Sequence, residues 1–254
     1  MKRFPLAIHL MAVPLLATGL LVPASAPAAP SPATGPTHGP AASSTLAATT
    51  VRLDGVRVGL RPGTTQVVTV NHTTGYRARL VLWRKGAGGW ERRLEAKGRI
   101  GYGGLVLGTR RKQGTGTTPL GTYRLLSSFG THAQRPGWDL SHRVIRAGDY
   151  WVQDNRSAYY NRYRNKAQGG FRWWLPSSND NSSERLRDYR QQYEFSLVTG
   201  FNYAGQVRHR GSGIFLHVNG SGATAGCVSG PRPFLKALMV RLDPARVPVI
   251  AIGR

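Results

Sequence analysis

Short apolar runs, separated by glycine and by polar turn residues, follow one another from residue 51 to the end of the chain. Within these runs apolar and polar residues alternate, or β-branched residues cluster, and both patterns are typical of strands. The first runs are VRVGL, TQVVTV, RARLVLW and WERRLEA, and the later ones are GLVLGT, GTYRLLSSF, DYWVQD, EFSLVTGF, SGIFLHV and VPVIAIG. The pattern predicts a mostly β fold.

Two segments have apolar residues at helical spacing. In SSERLRDYRQQYE, residues 182–194, Leu186, Tyr189 and Tyr193 are three and four positions apart and follow polar residues that can cap a helix. PRPFLKALMVRL, residues 231–242, begins with proline and places five apolar residues on one face. These are Phe234, Leu235, Leu238, Met239 and Leu242. We predict one short helix in each segment.

The first 26 residues have the layout of a secretory signal peptide. Lys2 and Arg3 precede a long apolar stretch, and small residues occupy positions 24–26. Because Pro5 and Pro14 interrupt the stretch and no basic cluster follows it, a membrane anchor is the weaker alternative. We therefore expect an exported protein, secreted or held at the cell wall.

The composition changes twice along the chain. Residues 27–50 are almost entirely Pro, Ala, Ser, Thr and Gly, which is typical of a disordered linker. Residues 51–254 are numerous enough for one domain with a substantial core. We predict a signal peptide at 1–26, a linker at 27–50 and a single folded domain, expected to be monomeric, at 51–254.

The chain is strongly basic, with 35 Lys and Arg against 11 Asp and Glu and a formal net charge of +24. Outside the cell such a charge favours contact with anionic cell-wall polymers. The basic residues are scattered and do not form the block that is typical of a nucleic-acid-binding tail, so no nucleic-acid partner is expected. A solvated basic surface with no partner is the alternative.

Cys227 is the only cysteine, so the chain cannot form an internal disulfide. The thiol is a buried apolar group, a link between two copies, or a reactive group. The apolar run GIFLHV ends at His217, and a loop of small residues leads from it to Gly226 and Cys227. A nearby imidazole and the start of the second predicted helix would together lower the pKa of the thiol. The spacing leaves the structural and the nucleophilic interpretation open.

The run IFLHV followed by TAGCVS resembles the active-site signature of the L,D-transpeptidases, the YkuD/ErfK-type cell-wall enzymes. RKQGTGTTPLGTYRL resembles the Thr-Pro-x-Gly-x-Tyr stretch of the same family, here from Thr118 to Tyr123. DYWVQDNRSAYYNRY is similar to a segment of a secreted actinobacterial branch. The resemblance spans about residues 60–252 and implies a β-sandwich-like catalytic domain with a few short helices, using no metal and no cofactor.

This resemblance also implies a mechanism. Cys227, with His217 as its base, would attack the carbonyl between the third residue of a peptidoglycan stem and its terminal D-alanine, leaving a thioester. A neighbouring stem amine would then resolve the thioester into a cross-link between two third-position residues. Backbone N–H groups of Gly226 and Cys227 would bind the oxyanion, and a backbone carbonyl close to His217 would orient its imidazole.

The chain departs from many members of the family at two positions. Ala225 occupies the place of a second histidine, and Ser229 occupies the place of an arginine that pairs with the substrate carboxylate. Arg208, Arg210 or Arg232 would have to replace that arginine. The candidate oxyanion and substrate-binding residues are Gly226, Thr224, Arg210 and Ser229.

Three alternatives remain at this stage. Water in place of the amine would make the protein an L,D-carboxypeptidase, and loss of activity would leave a basic wall-binding protein. His132 and Asp139 have the His-x6-Asp spacing of half a zinc peptidase site. A third ligand would be His142, His209 or His217, but the general base of such a site is missing. The segment between YWVQD and YEFSLV is a candidate lid over the site.

Overall fold

A computed structural model describes residues 49–254 of the chain, and it consists mainly of strands. The first eight are β1 (Thr50–Leu53), β2 (Val56–Gly59), β3 (Gln66–His72), β4 (Arg77–Gly86), β5 (Gly89–Arg99), β6 (Leu105–Leu107), β7 (Thr118–Gly130) and β8 (His142–Val144). The other seven are β9 (Asp149–Trp151), β10 (Tyr163–Asn165), β11 (Glu184–Arg185), β12 (Phe195–Thr199), β13 (Phe215–Val218), β14 (Val228–Gly230) and β15 (Val249–Gly253). One α-helix, α1, spans Arg232–Arg241, and short 3-10 helices cover Gly108–Arg110, Lys166–Gln168, Leu186–Tyr189 and Pro244–Arg246.

The main sheet closes on itself. Its strand order is β12-β13-β14-β5-β4-β3-β15-β7-β6, β8 pairs with β7, and β7 also pairs with β12. Eight of these strands therefore form a ring. Closure removes the two open edges that a flat sheet would expose. The prediction of a mostly β fold is confirmed, and so is a strand in each of the ten apolar runs.

Alternation along the strands divides the apolar residues between two cores. Val68 and Val70 of β3 pack in the larger core, which also receives the buried face of α1. Val67, directly before Val68, packs on the opposite face of the sheet, beneath the β1–β2 hairpin. The period of two in a strand dictates this division.

The helix predicted at 231–242 is present as α1, with Pro231 at its N-cap and Pro233 in its first turn. The helix predicted at 182–194 is wrong. Residues 184–185 form β11, which pairs with β9, and only Leu186–Tyr189 form a short 3-10 helix. Leu186 and Tyr193 of this segment pack in an aromatic cluster, so tertiary contacts and not helical periodicity determine its conformation.

The predicted signal peptide at 1–26 and all but the last two residues of the predicted linker at 27–50 lie outside the described residues. Within residues 49–254, no helix combines the length and the apolar character needed to cross a membrane.

Candidate active site

A cavity of about 420 Å³ contains both residues that the sequence analysis pairs. His217 lies on β13, Cys227 lies directly before β14, and both side chains line the cavity. Most of its wall comes from four segments, residues 111–116, 184–193, 211–214 and 220–225. Distant parts of the chain therefore assemble the cavity.

The register of β13 and β14 places the two residues on the same face of the sheet. These strands are parallel, with Leu216 opposite Val228. One residue earlier, Phe215 lies beside Cys227, and its N–H donates to Cys227 Sγ at 3.4 Å. Because residues two apart in a strand face the same side, His217 shares the cavity side with Cys227. Leu216 and Val228 enter the larger core instead.

The Cys227 thiol is held by the backbone of β13 and of the residues just before it. Sγ accepts from the N–H of Phe215 and donates to the carbonyl of Gly213 at 3.2 Å. Burial raises the pKa of this thiol to about 12, and the carboxylate of Glu184 adds to the rise. Hydrogen bonding from Phe215 and the charge of Arg111 oppose the rise without cancelling it.

The His217 ring is oriented by the backbone, as the resemblance implies. Nδ1 donates to the carbonyl of Val218 at 2.8 Å, which leaves Nε2 with its lone pair. The ring of Tyr193 packs against the imidazole at 5.4 Å between centroids. Burial lowers the pKa of His217 to about 4.

The two pKa values make the resting pair neutral near pH 7. Cys227 is a thiol and His217 is an unprotonated imidazole, so the arrangement is not a preformed thiolate–imidazolium pair. The start of α1 does not change this, because β14 separates Cys227 from the helix and no residue of α1 lines the cavity. A reaction at Sγ therefore requires proton transfer to Nε2 as the new bond forms.

Two threonines fix the backbone of the cysteine loop. Thr224 Oγ1 donates to the carbonyl of Cys227 at 2.6 Å and accepts from the N–H of Gly226 at 3.2 Å. Thr118, the first residue of the Thr-Pro-x-Gly-x-Tyr stretch, donates to the carbonyl of Gly226 and accepts from the N–H of Gly101, both at 2.8 Å. The N–H of Gly226 is thus already bonded, and the expected oxyanion site is left with the N–H of Cys227.

Arg111 lines the cavity and was missed by the sequence analysis. Its Nε donates to the carbonyl of Thr117 at 2.7 Å, and Nη1 donates to the carbonyl of Arg210 at 3.0 Å. A Cβ on Gly211 or Gly226 would collide with the guanidinium, and both glycines have positive φ, of 102° and 128°. The backbone is therefore shaped to admit this side chain beside the cysteine.

The Arg111 guanidinium is a buried charge without a counterion. The side chain is 6% exposed, and burial lowers its pKa. Within residues 49–254, Arg111 forms no ion pair. A buried cation is stabilised by an anion, so this wall of the cavity is suited to a carboxylate.

The arginines suggested by the sequence occupy other places. Arg210 contributes its carbonyl to Arg111, but its side chain does not line the cavity. Arg232 pairs with Glu194 on the surface, at 2.5 Å. The guanidinium of Arg208 lies over a tyrosine ring, 5.0 Å from its centroid. Sequence analysis considered only arginines near Cys227 as partners of the substrate carboxylate. It did not consider Arg111, which is far from Cys227 in the sequence.

Ser229 is buried and supports the loop between His217 and Cys227. Its hydroxyl donates to the side-chain oxygen of Asn219 at 2.8 Å. Arg99 of β5 holds the same loop, because its Nη1 donates to the carbonyls of Gly220 and Gly222. Ser229 does not line the cavity, so its role in this structure is to position the loop.

Ala225, the position at which the resemblance implies a second histidine, is exposed and lines the cavity. The candidate lid segment contributes Glu184, Tyr189 and Gln192 to the lining, and Tyr193, which directly follows the segment, also lines the cavity. Tyr193 donates its hydroxyl to Glu184, and burial raises the pKa of Glu184 to about 7. The helical spacing predicts a helix over these residues, whereas the pairing of β11 with β9 places Glu184 in the cavity lining.

The described residues contain no cluster of side chains that would support the alternative of a zinc site. Nε2 of His132 lies 2.7 Å from Glu194, and His142 bonds the carbonyl of His132. Among residues 49–254, no group of three His, Cys, Asp or Glu side chains could share a metal ion. His132 and Asp139 therefore have no third ligand at hand in this part of the molecule.

Comparison with known proteins adds a family. A family model described as YkuD, L,D-transpeptidase catalytic domain, matches residues 65–250. No curated protein matches the chain. Among solved structures, the chain is similar to Bd1075 of Bdellovibrio bacteriovorus, with 16% identity and a TM-score of 0.37. That match covers 75% of this chain and 48% of the other, so the chain spans about half of the length of that protein.

Proposed function

Because the chain belongs to the YkuD family of L,D-transpeptidase catalytic domains, we propose that it cleaves the terminal D-alanine from peptidoglycan tetrapeptide stems and transfers the acyl group to a neighbouring stem amine. One observation carries this proposal. Cys227 and His217 line one cavity from neighbouring strands, with the imidazole oriented so that Nε2 is the free base.

The first step forms the thioester. Nε2 of His217 takes the Cys227 proton as Sγ attacks the carbonyl carbon of the third residue. The N–H of Cys227 donates to the oxygen as it becomes negative. The bond to D-alanine then breaks, and the D-alanine nitrogen leaves with the proton held by His217. Arg111 binds the terminal carboxylate of the stem, which is absent from the remaining acyl group.

The second step resolves the thioester. An amine of a second stem attacks the carbonyl and loses a proton to Nε2 of His217. Sγ leaves, recovers that proton, and the neutral pair is restored. If water attacks instead, the product is a free carboxylate and the protein is an L,D-carboxypeptidase.

We also propose that the protein is exported and acts at the cell wall, because its first 26 residues have the layout of a secretory signal peptide. The basic charge supports this location, because anionic wall polymers would retain the protein. Release from isolated walls by added salt would support retention by charge. A cytoplasmic location, found by cell fractionation, would overturn the proposal.

The test of the reaction is intact-protein mass spectrometry with a synthetic tetrapeptide stem and with a carbapenem. We expect a covalent adduct on the wild type, D-alanine release and stem dimers, and none of these with Cys227→Ala. Release of D-alanine without dimers would identify the carboxypeptidase. If a folded wild type shows neither an adduct nor D-alanine release but binds walls, the chain is a binding protein.

A further inference from the structure

Glu184 is the one acidic residue that lines the cavity. Three other carboxylates with largely buried side chains are paired with cations: Asp54 with Arg79, Asp154 with Arg172, and Glu194 with Arg232 and His132. Buried Asp149 has no cation partner but accepts three hydrogen bonds, from the N–H of Arg146, the Tyr163 hydroxyl and the Asn165 amide. Within residues 49–254, Glu184 forms no ion pair, although basic residues outnumber acidic ones about threefold. Its one side-chain hydrogen bond comes from the neutral hydroxyl of Tyr193.

Glu184 and Arg111 form a complementary couple in one cavity without contacting each other. Arg111 is held by the carbonyls of Thr117 and Arg210, whereas Glu184 is held by Tyr193. Both charges act on Cys227, because the carboxylate raises the pKa of the thiol and the guanidinium lowers it, and His217 lines the same cavity. A ligand that satisfies both charges carries a carboxylate and, further along, a cation.

We propose that Glu184 binds an ammonium group of the peptidoglycan substrate and thereby selects stems with a free amine. The inference rests on the proposed function, since it concerns the same cavity. Two sources present this chemistry, the side-chain amine of the third residue in the acyl-donor stem and the amine of the incoming acceptor stem. Glu184 is a specificity residue here, because it does not touch the reacting carbonyl.

The donor source is tested by binding, which does not depend on turnover. The ligands are a tetrapeptide stem with lysine in third position and the same stem with that amine acetylated. Binding to Cys227→Ala is followed by calorimetry, with and without Glu184→Gln. We expect acetylation to weaken binding about 10-fold or more in the Cys227→Ala protein and about 2-fold or less once Glu184→Gln is added.

The acceptor source is tested by cross-linking. A donor stem with an acetylated third residue is mixed with a free-amine acceptor, and dimers are counted for the wild type and Glu184→Gln. A raised KM for the acceptor, with the rate of D-alanine release from the donor unchanged, identifies the acceptor amine. Glu91→Gln, on the exposed end of β5, removes the same charge away from the cavity and should match the wild type.

The pH dependence of the preference for the free amine can be measured on the wild type, so this test does not depend on whether Glu184→Gln folds. The other titratable cavity groups are Tyr102, Arg111, Tyr189, Tyr193, His217 and Cys227. Phenols and guanidinium groups lose their protons only above pH 8 in water, and the pKa values of His217 and Cys227 are about 4 and about 12. Glu184 is therefore the group that gains charge through pH 7, so the preference for the free amine should grow about 5-fold or more from pH 6 to 8.

The two failures are distinguishable. If stems bind with a preference for the free amine but no D-alanine is released, the proposed function fails and the ammonium site stands. If D-alanine is released and neither arm responds to acetylation or to Glu184→Gln, the ammonium site is overturned and the proposed function stands.

Discussion

The resting state of Cys227 determines how the thiol reacts with small reagents. Only the thiolate is a good nucleophile, and burial keeps this group protonated near pH 7. We predict that iodoacetamide alkylates native Cys227 about 10-fold or more slowly than a free thiol at pH 7. The rate should rise steadily up to pH 10, and urea unfolding should abolish the protection.

Alkylation is followed by intact mass at a series of pH values. A preformed thiolate–imidazolium pair would instead give a fast rate at neutral pH and a plateau between the two pKa values. That plateau would contradict the neutral pair inferred from the burial of Cys227 and His217.

Arg111 offers a test of carboxylate binding. Arg111→Gln should raise KM for D-alanine-ended stems about 10-fold or more, because it removes the cation facing the cavity. Steady-state D-alanine release measures this effect. Arg110→Gln, at the adjacent exposed position, is the matched control and should leave KM unchanged. An equal effect of both variants would show that general charge, and not the cavity, is responsible.

Sequence reasoning paired His217 with Cys227 but did not identify the two charged residues Arg111 and Glu184 that line the same cavity. The difference has a physical reason. His217 on β13 and Cys227 directly before β14 are ten positions apart, so a local pattern contains both. Arg111 directly follows the 3-10 helix Gly108–Arg110 and Glu184 lies on β11, and no spacing rule links them to the cysteine. The segment containing Glu184 was also predicted to be helical. A helix would orient this side chain differently from the strand β11 that the structure contains.

At the scale of the elements, Arg99 of β5 connects the sheet to the loop beside the cavity. Its guanidinium donates to the carbonyls of Gly220 and Gly222. We predict that Arg99→Ala loosens this loop and raises KM several-fold, while the melting temperature falls by less than about 4 °C. Lys97→Ala, two residues earlier on the same strand, is the control. Kinetics of D-alanine release and thermal unfolding provide the measurements, and an unchanged KM would count against a role for the contact.

The start of β7 supports the cysteine loop through a single hydroxyl. Thr118→Val keeps the shape of the side chain but leaves the N–H of Gly101 and the carbonyl of Gly226 without their partner. Each buried group left unpaired costs about 1–3 kcal/mol. We predict a fall of several degrees in melting temperature together with slower D-alanine release. Thr109→Val, at an exposed position, should change neither, and an unaltered Thr118→Val protein would refute this role.

The strand pattern was accessible from the sequence because alternation is a local property. Ten apolar runs became strands, and the helix at 231–242 formed where its apolar face meets the larger core. Closure of the sheet could not be inferred in this way. It depends on β7 pairing with both β15 and β12, which are separated from it by long stretches of chain.

At the scale of the whole molecule, two buried groups make stability depend on pH in opposite directions. His217 has a folded pKa of about 4, below its value in the unfolded chain, so stability is lost as pH falls from about 6.5 to 4. Glu184 has a folded pKa of about 7, above its unfolded value, so stability is lost as pH rises from about 4.5 to 7. Between these limits the two effects partly cancel.

Glu184→Gln removes one of the two effects. We predict that this variant melts a few degrees above the wild type at pH 8 and that the difference shrinks at pH 5, where Glu184 is already protonated. Thermal unfolding at both pH values measures it. A difference of the opposite sign would show that Glu184 is stabilised as a carboxylate in the folded protein.

Closure of the ring also means that the cavity can form only after the C-terminal strand has been synthesised. β15, the last strand of the chain, lies between β3 and β7 and completes the circle on which β13 and β14 sit. A nascent chain that lacks its final six residues contains Cys227 and His217 but lacks the strand that closes the sheet around them. Purification tags are accordingly better placed on the amino side of β1. A carboxy-terminal truncation into β15 should leave Cys227 present but without activity.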